Sequence, residues 1–232
     1  MTPAPAPAGG CFAVGNDLVD LEDAEARLDG LHPRIEERVF TEAERSTLAR
    51  SPHRQRLHWA LWAAKESAYK ALKRLDPSLA FSPRALEVTL DPGTLSGHGH
   101  ATGRVVHGSL QLDLEVRSSG ESVHAIARSR TAGASRILSG VEKTREDASV
   151  AVRRLATGAI GAALGVEPGE LRISGRPPLV WRGGLRLDLS LSLSHHGRFV
   201  AFAAALRPGT PAALRAARHF AGSAPFVRVA IE

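Results

Sequence analysis

Apolar residues recur along this chain with two periods, and the alternation between them divides it. Leu57, Leu61, Ala64, Ala68, Ala71 and Leu75 return at steps of three or four. That spacing is one face of an α-helix, here predicted from about Gln55 to Leu75. Leu86, Val88 and Leu90, then Leu110, Leu112, Leu114 and Val116, return at every second residue. That is the period of half-buried strands, and "VHAIARS" can pair behind them. The helical period comes back in "TREDASVAVRRLATGAIGAALG", with Val152, Leu155, Ala159 and Ala163 on its face and Gly165 as its stop. "GELRISGRPPLVW" then reads as strand, turn, strand. Strict alternation from Leu185 to Leu193 predicts one long strand that turns at Ser194-His195-His196-Gly197 and returns.

Shorter signals fill the gaps. "CFAVGNDLVDLED" begins as a strand with Phe12 and Val14 on one face, and is expected to break at the turn-prone Gly15-Asn16-Asp17. "HPRIEERVF" predicts a short helix after Pro33. Thr41 caps a second one, with Glu44 completing a capping box. "SGHGHATG" reads as a loop, and its histidines, with no carboxylate nearby, are not expected to hold metal. "SRTAGASR" is small and turn-rich, as a linker would be, and a second unit begins near Ser139. The stretch after Arg207 predicts a short helix and an edge strand. Each half thus supplies one long helix and several antiparallel strands, with no βαβ crossover. The expected class is α+β, repeated twice.

Composition narrows the setting. The chain has 232 residues, enough for one large domain or two small lobes. Its one cysteine, Cys11, allows neither an internal disulfide nor a four-cysteine zinc site, and a reducing cytoplasm is the simplest home. "MTPAPAPAGG" lacks the features of a signal peptide and reads as a disordered leader. Apolar runs such as Phe199 to Leu206 are too short to span a bilayer, so a soluble protein without membrane contact is expected. The net charge of +6, mostly an excess of arginine, suits an anionic partner: nucleic acid, a phosphorylated cofactor or an acidic protein. An arginine-rich composition also arises in GC-rich genomes, and charge alone does not choose.

Four places can carry chemistry. In "WALWAAKESAYKAL", Glu66 lies roughly 160° from Ala64 and Ala68 at ~3.6 residues per turn, off the aliphatic stripe. Its own face holds Trp59, Trp62, Tyr69, Lys70 and Lys73. A Glu66–Lys70 pair on a solvated face contributes only ~0.3–0.5 kcal/mol. The three aromatics argue against full solvation, and a half-buried carboxylate between lysines wants a cation or a phosphate nearby. Asp17 either caps its own turn or projects into a cleft. "SLSHHGRF" is either a polar hairpin tip or, through Ser194, its histidines and Arg198, an anion holder. "SGRPPL" throws Arg176 outward, and Arg153 and Arg154 on the preceding helix add charge.

Together these stretches resemble the motif set of the 4′-phosphopantetheinyl transferases: Gly-x-Asp, Trp/Phe-x-x-Lys-Glu-Ala/Ser-x-x-Lys, Gly-Lys-Pro and Ser-x-Ser-His. Gly15-Asn16-Asp17 matches the first. Trp62, Lys65, Glu66, Ser67 and Lys70 match the second. Gly175-Arg176-Pro177 matches the third with Arg for Lys, and Ser192, Ser194 and His195 match the fourth. The length and four motifs are similar to the two-lobed, surfactin-synthetase-activating type, but with the lobes in swapped order. A circularly permuted pseudodimer is therefore expected. It would have a leader over 1–11, one lobe over 12–136, a second over 137–207 and an extension of unknown role over 208–232, with the active site in the cleft between lobes. One departure is that Val19 stands where the two-lobed type has a second metal carboxylate. Water is expected at that position, while Asp20 matches the shorter holo-acyl-carrier-protein synthase pattern and is expected to turn elsewhere, toward the turn backbone.

The resemblance implies transfer of the phosphopantetheine arm of coenzyme A to a serine of an apo acyl or peptidyl carrier protein, releasing adenosine 3′,5′-bisphosphate. It implies magnesium on Asp17 and Glu66, with Lys70 on the diphosphate and Glu66 or a water as base. Lys65 is expected at the nucleotide or the lobe interface, and His195, with Ser194 beside it, at the 3′-phosphate. Arg176 and Arg153 or Arg154 are expected on other parts of coenzyme A. A cytoplasmic monomer without nucleic acid is expected. A folded but inactive relative, made plausible by Val19 and Arg176, and a basic RNA-binding protein are the alternatives. The second would interleave aromatics with arginine on strands, whereas here they concentrate on a helix.

Overall fold

The protein is described here by a computed structural model over residues 12–91, 95, 98–129 and 136–207. The leader (1–11), most of the linker and the C-terminal extension, with its predicted helix and strand, lie outside the described residues.

The first unit builds on β1 (Val14–Asp20), α1 (Ile35–Val39), α2 (Glu42–Arg50) and α3 (Arg54–Leu75). Then come β2 (Glu87–Leu90), β3 (Gly99–His107), β4 (Leu110–Ser118) and β5 (Ser122–Ser129). Its antiparallel sheet has the order β1-β5-β4-β3-β2. The helix α3 lies across it, burying Leu61, Ala64, Ala68 and Ala71 as the helical period requires. Thr41 caps α2, and the reciprocal bond from the Thr41 N–H to Glu44 completes the capping box.

The second unit has β6 (Arg136–Lys143), α4 (Ala148–Leu164), β7 (Leu171–Ser174), β8 (Leu179–Arg182), β9 (Leu185–Arg186), β10 (Leu189–His196) and β11 (Phe199–Leu206). Its sheets are ordered β10-β11-β6 and β7-β8-β9. Asp147 caps α4, and Gly165, at φ 66°, ends it in the left-handed region.

Three expectations are corrected. The strand does not break at Gly15-Asn16-Asp17 but runs through to Asp20. Gly15 serves close approach rather than a turn: a Cβ there would stand 1.9 Å from the Ser67 carbonyl oxygen of α3. "SGHGHATG" is not all loop, since β3 begins at Gly99 and Gly103 lets β2 pass close by. The alternation from Leu185 is interrupted between β9 and β10, and pairing continues to His196, so the turn falls at Gly197.

The two units meet along β1, whose alternate residues face opposite ways. Gly15, Asp17 and Val19 face α3, and Val14, Asn16, Leu18 and Asp20 face the second unit. Leu18 packs on Phe199 and Ala201, and Val14 packs with Ile126 on Ala203 and Ala205. The edge of β1 not paired to β5 is met by side chains. Ser190 Oγ accepts the Val14 N–H at 3.1 Å, and Ser192 Oγ accepts the Asn16 N–H at 2.9 Å. In β10 the leucines Leu189 and Leu191 pack with the α4 core while the serines point at β1. Replacing Gly15 by Ala should therefore destabilise the protein by about 3 kcal/mol or more through overpacking. Ser192→Ala should remove about 1–3 kcal/mol by leaving a buried N–H unpaired. Chemical denaturation measures both, and wild-type stability in either variant would contradict this packing.

Candidate active site

Helix α3 carries the candidate residues on its flank toward β1. Lys70 Nζ donates to Asp17 Oδ1 at 2.7 Å and to the Asn16 carbonyl at 3.2 Å. Burial raises the Asp17 pKa against the lowering effect of Lys70. Glu66, one turn before Lys70, is half-buried, and among the described residues it accepts no hydrogen bond. Burial raises its pKa and the charge of Asp17 raises it further, while Lys70 opposes. Two such oxygen donors suit a hard divalent cation that keeps other oxygen ligands. No cluster of three or more His, Cys, Asp or Glu occurs among the described residues. Val19 supplies no carboxylate, being packed in the core of the first unit.

Lys65 is corrected. It is fully buried, and its ammonium donates to Glu44, to the Pro83 carbonyl at 2.9 Å and to the Leu86 carbonyl at 2.5 Å. Glu44 also accepts the Val88 N–H. With all donors engaged inside the first unit, Lys65 reaches neither a nucleotide nor the other unit.

The aromatics of α3 flank Glu66 on the other side. Trp62 and Tyr69 pack on Phe81, at ring distances of 6.0 and 4.8 Å, and the Trp59 indole donates to the Ala26 carbonyl. They support the wall from within the first unit.

The second unit brings β10 against β1. Ser194 is buried, its Oγ accepting from Asn16 Nδ2 at 2.8 Å, so it belongs to the contact between units rather than to an open anion site. The same Asn16 nitrogen donates to His124 Nε2. Burial, aided by Arg117 and Lys70, lowers the His124 pKa to about 3, keeping that ring neutral. His195 is exposed at the end of β10, on the face opposite the serines. His196, on the serine face, accepts the Asp20 N–H at Nδ1 and lies near enough to Asp17 to lower its pKa.

Arg198, expected beside the anion site, is instead a tie between units. It pairs with both oxygens of Asp20 at 2.8 Å and also reaches Glu22 and Glu121. Asp20 accepts the backbone N–H of Glu22 and that of Arg198, so it does turn to backbone as expected. Arg176 is exposed in the β7–β8 turn. That turn is held to α3 by Arg74, which donates to the Pro178 and Leu191 carbonyls. Arg153 bonds Ser149 within α4, and Arg154 is paired with Glu142 and Glu146.

Sequence reasoning missed Arg74 altogether, and it gave no role of their own to Asn16, the middle residue of the first motif, or to His196, one of the two histidines at the hairpin tip. Arg74 follows Lys70 by one helical turn, and Asn16 and His196 lie on the interface faces of alternating strands. Both signals were present, but at no fixed position of a motif.

Comparison with known sequences finds likeness in the first unit. Residues 13–127 match the model of the 4′-phosphopantetheinyl transferase superfamily. This part of the chain is similar to that superfamily. Similar curated proteins include the holo-[acyl-carrier-protein] synthase of Jannaschia sp. (strain CCS1), 37% identical over 61 residues, which are 26% of this chain and 41% of that protein. That of Caulobacter vibrioides (strain NA1000 / CB15N) is 39% identical over 61 residues, 26% of this chain and 46% of that protein. That of Paramagnetospirillum magneticum (strain ATCC 700264 / AMB-1) is 44% identical over 63 residues, 26% of this chain and 48% of that protein. The chain thus spans less than half the length of these relatives. The matched superfamily segment holds Asp17, Glu66 and Lys70.

The Asp20–Arg198 tie should be acid-sensitive. Burial pushes the Asp20 pKa up, but hydrogen bonds from the Arg198 side chain, the Arg198 backbone and Glu22 outweigh it and hold it at about 2. A carboxyl depressed from its ordinary 3.8 contributes fully above that pH and loses its contribution as pH falls toward 2. The contribution is about 2 kcal/mol. Wild type should be more stable than Asp20→Asn at pH 5, with the gap closing near pH 2. A gap independent of pH in denaturation curves would contradict it.

Proposed function

We propose that the protein is a magnesium-dependent 4′-phosphopantetheinyl transferase. It moves the phosphopantetheine arm of coenzyme A to a serine of an apo acyl or peptidyl carrier protein and releases adenosine 3′,5′-bisphosphate. The observation that carries this reading is the pairing of Asp17 on β1 with the Glu66–Lys70 face of α3, inside the segment that matches the superfamily. The similar proteins, each a holo-[acyl-carrier-protein] synthase, agree with it.

On this reading the two units form a pseudodimer with its active site between them. The strand orders β1-β5-β4 and β6-β11-β10 support it, each unit placing its first strand beside its last. The order of the motifs supports a circular permutation of the two-lobed type. A complete site within one chain fits a monomer. Coenzyme A and carrier proteins as substrates fit a cytoplasmic protein without nucleic-acid or membrane partners, and no helix among the described residues is long and apolar enough to cross a membrane.

Asp17 and Glu66 would hold the magnesium, which, when bound, neutralises charge on the diphosphate. Lys70 is placed to share its ammonium between Asp17 and a diphosphate oxygen. Glu66, free of hydrogen bonds among the described residues, is also the carboxylate available to accept the proton of the attacking serine. His195 and Arg176, both exposed on the second unit, are the groups available to the 3′-phosphate and the rest of the nucleotide, with Arg153 a further candidate. Arg154 would first have to leave its acidic partners.

The test mixes the purified protein with coenzyme A, magnesium and an apo carrier protein and follows the carrier's mass. Wild type should add the phosphopantetheine arm. Glu66→Gln should lose most transfer, about a hundredfold or more, with an unchanged melting temperature. No mass increase with any acyl or peptidyl carrier would favour the inactive relative, and near-normal turnover by Glu66→Gln would remove Glu66 from the site.

A further inference from the structure

The fourth motif ends at His195 and assigns nothing to the histidine after it. Strand alternation separates the two. His195 is exposed, whereas His196 continues the row of Ser190, Ser192 and Ser194 that faces β1. Its ring is half-buried and held by a built frame. His196 Nδ1 accepts the Asp20 N–H at 3.2 Å. Asp20 is fixed in turn by the paired bonds from Arg198. Gly197 follows at φ 51°, and the space for a Cβ there is filled by the Asp20 and Asp23 carboxylates, at 2.7 and 2.8 Å. The chain is thus locked on both sides of the imidazole.

An Nδ1 that accepts a backbone N–H carries no proton, so the proton of the ring sits on Nε2. No hydrogen bond to that nitrogen occurs among the described residues. A donor held by this frame within electrostatic reach of the Asp17 carboxylate, and not bonded to it, suits an anionic ligand that the same carboxylate binds through a cation.

We propose that His196 is a further ligand-binding residue of this site, donating its Nε2–H to a diphosphate oxygen of coenzyme A next to Asp17. This rests on the transferase reading. It adds a contact from the second unit to the part of the ligand that Lys70 contacts from the first, so both units grip the diphosphate.

Two substitutions separate binding from support. In His196→Asn, the amide oxygen replaces Nδ1 as acceptor for the Asp20 N–H, but nothing replaces Nε2–H. In His196→Gln, the longer amide places an N–H where Nε2–H was. Calorimetric titration of coenzyme A with magnesium into the full chain, with thermal melting alongside, reads both. His196→Asn should melt like wild type and bind coenzyme A roughly tenfold more weakly, the effect of one charge-assisted hydrogen bond. His196→Gln should recover most of that affinity. Titration with 3′-dephospho-coenzyme A should show the same tenfold ratio between wild type and His196→Asn.

Wild-type affinity in His196→Asn overturns the inference and leaves the transferase reading standing. Weakened binding that tracks a lowered melting temperature in both variants also overturns it, making His196 a support. A ratio that vanishes with the dephospho ligand moves the contact to the 3′-phosphate and overturns it as stated. A wild-type chain that binds no coenzyme A removes the transferase reading and this inference together.

Discussion

The arrangement depends on how the open edge of β1 is satisfied. An edge strand presents unpaired N–H groups that are costly to bury. Here they are buried against another sheet, and side-chain acceptors on β10 take them: Ser190, Ser192 and, at the far end, His196. A backbone ladder would have merged the two sheets. The row of serines instead lets β10 keep its own pairing to β11 while lying against β1. Because the spacing of acceptors matches the spacing of N–H groups, it fixes the sliding register of the units. That register brings His196 into the electrostatic neighbourhood of Asp17.

Helix α3 serves both sides of this contact. Its small residues let β1 approach until Gly15 touches the Ser67 carbonyl. That approach places Asp17 within bonding distance of Lys70, at 2.7 Å. One helical turn further on, Arg74 crosses to the Leu191 and Pro178 carbonyls of the second unit. The two lysines of the helical motif have different roles. Lys70 stays at the boundary beside a carboxylate, while Lys65 is drawn into the first unit by Glu44 and two carbonyls. Lys65 supports the base of the helix, including the capped α2 that supplies Glu44, and through it the position of Glu66.

Much of this was legible in the sequence. The helical stripe of α3, the Thr41–Glu44 box, the Gly165 stop and the leucine–serine alternation of β10 each follow from local chemistry. Asp17, Glu66 and Lys70 stood out by helical position and turn context, a motif joined them, and the structure brings Asp17 onto Lys70 with Glu66 one turn away. Local rules failed where tertiary contact overrode them. Gly15-Asn16-Asp17 has the composition of a turn, yet here the glycine answers a neighbouring helix, not a bend. Lys65 has the look of a surface lysine, and only the fold shows Glu44 waiting beneath it. Arg198 reads as an anion ligand until Asp20, 178 residues away in sequence, is seen to hold it. Such pairings between distant segments carry no local signal.

The central claim is that one ligand is held by Asp17 and Glu66 from the first unit and by the end of β10 from the second. A crystal structure with coenzyme A and manganese in place of magnesium tests it most directly, because the metal can be located by its anomalous scattering. The account predicts an anomalous peak bridging Asp17, Glu66 and the diphosphate, with the nucleotide extending toward His195 and Arg176. A peak away from these two carboxylates, or a coenzyme A molecule lying on one unit alone, would contradict it.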